Sequence, residues 1–132
     1  MSRTFLKSLL LLLVLTVAAA ADASASAGFE RFVQVEVELR AATNEGMRQR
    51  LALLGSAGYS AEADERLDAE TRARVAAVYA AHGTTAAAHA SFGTRHAAEI
   101  EEWVAQRPEW RSRQQALQSE FESLSSQFSA AR

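Results

Sequence analysis

Histidines and carboxylates supply most of the chemical possibilities in this chain. It has three histidines and no cysteine, which excludes thiolate catalysis, disulfides and thiolate metal sites. The imidazoles recur every seven residues, at His82, His89 and His96. Seven residues of helix advance about 10.5 Å, too far for the three to hold one ion between them. A local chelate needs ligands three or four residues apart, and His96 with Glu99 meets that spacing. His96 and Glu99 are therefore the candidate metal ligands. Imidazole plus carboxylate suits a divalent transition metal such as zinc, nickel or copper, with further ligands arriving from a facing helix.

Glu36 is the second anomaly. With Arg40 it interrupts an apolar helix face that carries Phe29, Val33 and Met47. Glu followed four residues later by Arg is the favourable order for a helix ion pair. One expectation is such a pair at the margin of the core. The sharper one is that Glu36 crosses to His89 or His96, so that Glu36, His89, His96 and Glu99 form a polar cluster responsive to pH or metal. Against it stands the commoner use of such histidines, as packing residues sharing a hydrogen bond with a carboxylate.

Bond-making chemistry has little support. There is no glycine-rich phosphate loop, no H-E-x-x-H and no G-x-S-x-G. The chain is expected not to be an enzyme and to need no cofactor beyond a metal at the histidine sites. Trp103 and Trp110, on either side of Pro108, are candidate anchors for a binding partner, with core packing as the alternative.

The elements that must position these residues are helices. His89, Phe92, His96, Ile100 and Trp103 share one face at helical spacing. Trp110, Leu117, Phe121, Leu124 and Phe128 form the cleanest apolar stripe, with Gln114 as its polar entry. From Val33 to Leu39 apolar and polar residues alternate as in a strand, yet a lone strand would lack a ladder partner. Ser60 and Thr84 or Thr85 read as helix N-caps, and Gly55 and Gly83 as C-terminal stops. Pro108 reads as the first turn of a new helix. A second cap at Asp68 would break the helix that follows Ser60. Gly93 offers close approach to a neighbouring helix.

These signals predict an all-α fold, a small antiparallel four-helix bundle with helices at about 29–54, 61–82, 85–106 and 108–129. An alternative joins the last two into one kinked rod that dimerises. Truncating Trp103, Phe121 or Leu124 to alanine is expected to cost about 2 to 5 kcal/mol.

The amino-terminal residues 1–21 read as an export signal. Arg3 and Lys7 precede an apolar run from Leu9, and Ala19-Ala20-Ala21 supplies a cleavage pattern before Asp22. Ala25-Ser26-Ala27 supplies a second pattern, before Gly28. The apolar run of about 13 residues is shorter than the roughly 17 to 25 that a membrane span requires. Residues 22–28 are then a flexible leader and 29–132 the helical domain. Removing Arg3 and Lys7 leaves 12 of the 14 cations against all 16 acids, a net charge of −4. An acidic chain of this kind argues against a nucleic-acid partner, and no stable membrane span is expected after cleavage. The expected product is an exported helical binding protein, periplasmic or extracellular. Its partner would be another envelope or secreted protein, or a second copy of itself. The alternative is a metal- or pH-responsive periplasmic binder built on the His/Glu cluster.

Overall fold

A computed structural model describes the backbone of residues 2–132 and the side chains of residues 22–132. The expected signal, 1–21, falls outside the residues described at side-chain level. Among the described residues there are five helices and no strand: α1 (Ser2–Leu54), α2 (Ala61–Ala81), α3 (Ala86–Arg95), α4 (Ala97–Ala105) and α5 (Pro108–Ala130). No described helix is long and apolar enough to cross a membrane. Residues 22–28, expected as a flexible leader, continue α1 without a break.

The fold is all-α, but its limbs are not those of a four-helix up-down bundle. α1 is the spine. Along it, Arg50 meets Asp64, Gly46 faces Thr71, Glu38 meets His82, Glu36 meets His89, Gly28 touches Phe92 and Ser26 meets Trp103. The partners ascend in number as the α1 positions descend. α2, α3 and α4 are thus one interrupted limb, antiparallel to α1. α5 then returns parallel to α1 on another side, with Arg40 over Phe121, Asn44 bonded to Leu117 and Arg50 over Phe128.

The reason lies at the α2–α3 junction. Gly83 adopts φ 62°, the left-handed conformation that glycine accepts without strain. The Thr84 N–H donates to the Tyr79 carbonyl and the Gly83 N–H to Ala80, which caps α2 with the Schellman pattern. Thr85 follows at once as the N-cap of α3, its hydroxyl accepting from the Ala88 N–H. So short a connection offsets the axis, and the chain keeps its direction instead of reversing.

The helix expected over 85–106 is two helices. His96, at φ −117° and ψ 20°, leaves helical geometry and ends α3, with its N–H on the Phe92 carbonyl. α4 then begins with the Ile100 N–H on the His96 carbonyl. After this bend Ile100 and Trp103 reach Val33 to form the central cluster. By contrast α2 is unbroken at Asp68, whose carboxylate pairs with Arg72 and Arg50. Its start is where the sequence put it, at Ser60.

The strand-like alternation from Val33 to Leu39 has a helical explanation. A helix flanked on two sides buries residues about 200° apart as well as those on one stripe. Val33 and Val35 are both buried, while Val37 and Leu39 are half-covered. Glycine sets the close approaches. A Cβ on Gly46 would overlap the Thr71 side chain, and one on Gly93 would come within 2.7 Å of the Phe32 ring. The far end of α1 is fixed to α2 by the two-pronged Arg50–Asp64 ion pair, 2.7 Å on each arm. Hydrogen bonding and charge from Arg50 hold the Asp64 carboxyl below its ordinary pKa.

Candidate functional site

Each histidine holds a carboxylate, and no two share one. His82 caps α2 and its Nε2 meets Glu38 of α1 at 2.8 Å. His89 sits on α3, and its Nε2 contacts the Glu36 carboxylate of α1. His96 stands at the α3–α4 bend, where its Nδ1 meets Glu99 one turn on at 3.0 Å. Two of the three pairs therefore bridge α1 to the antiparallel limb, and the third is local to α4.

His89 is the most enclosed of the three, at 8% exposure. Its ring stacks on Phe32 at 4.3 Å between centroids, nearly parallel at 12°, and meets the edge of Tyr79 at 5.8 Å. Phe92 continues the row from Phe32 and packs on His96 at 4.6 Å, with Phe29 alongside. The result is a ribbon of imidazole and benzene rings between α1 and the opposite limb. Its physical logic is plain: burying an imidazole costs hydration unless a polar partner remains, and Glu36 provides it from the solvent side. Glu36 is 45% exposed, so its own charge stays hydrated while one oxygen serves the ring.

The sequence expectations divide accordingly. Glu36 does cross to His89. It does not join His96, and the expected Glu36–Arg40 pair is absent from the ion pairs of the described residues. Glu36 turns to α3, whereas Arg40 turns to α5 and lies 4.4 Å from the Phe121 centroid. The four residues Glu36, His89, His96 and Glu99 therefore form two pairs. Among the described residues no three histidine or carboxylate groups converge as a metal-binding set. His96 and Glu99 remain a two-ligand arrangement on an accessible edge, at 33% and 60% side-chain exposure.

The two tryptophans also separate. Trp103 is 7% exposed and part of the core, with its Nε1–H donating to the Ser26 hydroxyl at 3.0 Å and Arg107 stacked on the ring. It is not an open anchor. Trp110, 6.4 Å away, is half-covered, with Arg113 over its ring.

Sequence reasoning did not find the His82–Glu38 pair. Glu36 and Glu38 lie 200° apart on a helix wheel, so no single-face argument groups them. The signal would have been the antiparallel pairing itself, which sets Glu36 and Glu38 opposite His89 and His82 in reverse order. No known family model, curated protein or solved structure matches this chain.

Proposed function

We propose that this is an exported helical binding protein that acts by contact with another protein, either a helical partner in the cell envelope or a second copy of itself. The observation that carries the reading is incomplete burial. Among the described residues, only Val33, Val35, Ile100, Trp103 and Leu124 are buried apolar side chains. α2 buries none of its side chains, and its Leu67, Val75 and Val78 are only half-covered. On α5, Leu117, Phe121 and Phe128 are in the same condition. Apolar surface left part-open along two limbs on different sides of α1 is the kind that protein contacts use. Export rests on residues 1–21, with their cationic start, apolar run and small-residue cleavage patterns.

Light scattering after size exclusion, over a range of protein concentration, tests the reading together with cross-linked capture from an envelope fraction. A concentration-dependent dimer or a stable heteromer supports it. A strict monomer that captures nothing counts against it.

One observation favours a second reading, a metal- or pH-responsive binder. Each imidazole already holds a carboxylate, and two of the pairs bridge α1 to the antiparallel limb. Metal binding at His96 and Glu99 is tested by melting. Zinc, nickel or copper should raise Tm, and His96→Ala should abolish the rise.

A further inference from the structure

A cavity of about 190 Å³ opens between α1 and α3, beside the ring ribbon. Phe32, Phe92, the buried His89 and Thr84 are among the residues that line it. Arg31 from α1 and Arg95 from α3 complete the lining, which contains no acidic residue. That composition is unusual for this chain, whose acids outnumber its cations. Neither guanidinium has a carboxylate within 4 Å among the described residues. Most other arginines here are spent on a carboxylate or an aromatic ring. Arg31 and Arg95 are not, apart from a long Arg95 Nε–H contact to its own helix, on the Ser91 carbonyl at 3.4 Å. The cavity also reaches the first turn of α3, which carries no acid to offset its positive end. The ring nitrogen Nε2 of the lining His89 is itself engaged by Glu36 of α1.

We propose that this cavity binds a small organic carboxylate with a flat apolar body. The carboxylate meets Arg31 and Arg95, and the body lies against Phe32 and Phe92. Guanidinium is the side chain whose planar donor fork matches a carboxylate, and two unpaired forks around one opening supply charge and geometry together. The volume sets the size. An apolar cavity of about 150 Å³ admits benzene, so this one has room for a single six-membered ring and its acid group. The proposal goes beyond the protein-contact reading and does not depend on it.

Amide chemical shifts of the full chain, titrated at neutral pH and constant ionic strength, test it with three probes. These are benzoate, its neutral counterpart benzamide, and inorganic phosphate. Benzoate should give saturable shifts at Gly28, Thr84 and Ala88, with little response to benzamide or phosphate. Arg31→Gln and Arg95→Gln should each weaken benzoate about tenfold or more, the loss expected for one charge-assisted pair. Arg111→Gln, on α5 away from the cavity, should leave binding unchanged. Equal shifts from benzoate and benzamide would show that the arginines do not select the ligand and would overturn the proposal. Equal shifts from phosphate would reduce it to nonspecific anion pairing and overturn it as well. No saturable response up to about 10 mM, with dispersed spectra proving the fold intact, would do the same.

Discussion

Gly46 offers a test in which two physical effects of opposite sign compete. A glycine inside a helix costs about 1 kcal/mol relative to alanine through backbone entropy, so Gly46→Ala on propensity alone should stabilise the chain. Packing argues the reverse. Gly46 is buried at the α1–α2 crossing, where an added Cβ would lie 2.7 Å from Thr71 Cγ2, 3.0 Å from its Cβ and nearer still to Oγ1. Rotating Thr71 does not relieve this, because its Cβ is fixed by the backbone and a β-branched residue on a helix has few rotamers. Its hydroxyl also donates to the Leu67 carbonyl at 3.0 Å. The helices must therefore move apart, and overpacking of this kind costs about 1 to 3 kcal/mol. The expected net effect is a loss of up to about 2 kcal/mol, which for a domain of this size lowers Tm by roughly 5 to 10 °C. Urea unfolding of four proteins measures it: the unaltered chain, Gly46→Ala, Thr71→Ala and the double variant. Thr71→Ala removes the two nearest obstacles, so in that background Gly46→Ala should be neutral or stabilising, with a coupling of about 1 kcal/mol or more. If Gly46→Ala alone raises stability by the full propensity increment, the helices do not cross this closely and the reasoning fails.

Acid should weaken the α1–α2 junction through Asp64. Its folded pKa is lowered by Arg50, so its contribution is present above the ordinary carboxylate range and is lost as pH falls through the lowered value. Asp64→Asn should flatten the acid limb of a plot of urea midpoint against pH, and an unchanged limb would contradict the assignment. Leu124→Ala, at a buried position, should cost about 2 to 5 kcal/mol, whereas Phe121→Ala should cost less because that ring is only half-covered. Comparing their thermal midpoints checks the order. Finally, if the chain is exported as proposed, the intact mass of the product should correspond to a start at Asp22. A start at Gly28 would discard Ser26, the hydrogen-bond acceptor for Trp103, and finding that mass would argue against a structural role for the contact.

Much of the candidate site was legible in residue types and very little of its grouping. That His89 and His96 lie among aromatic rings follows from helical spacing, and so does the proximity of His96 to Glu99. Glu36 stood out because a charge on an apolar face needs a partner. Its choice of His89 over His96 or Arg40 could not be read from a wheel, because α1 is covered on two sides and Arg40 belongs to the other one. The cavity was invisible to motif reasoning. Arg31 and Arg95 come to one opening only when α3 is laid against α1.

What the chain dictated by itself was local: helices, their ends at Ser60, Gly83, Thr85 and Pro108, and the apolar stripes. Caps and turns are decided by hydrogen bonds that span about five residues, so a short stretch of sequence contains the whole cause. The order of neighbours, the break at His96 and the pairing of each imidazole with its carboxylate were decided only by the tertiary structure. Several stripes of similar apolar character could have met in more than one arrangement. The difference came from contacts between distant residues, such as Gly46 against Thr71 and Gly93 against Phe32, where a missing side chain lets two backbones approach.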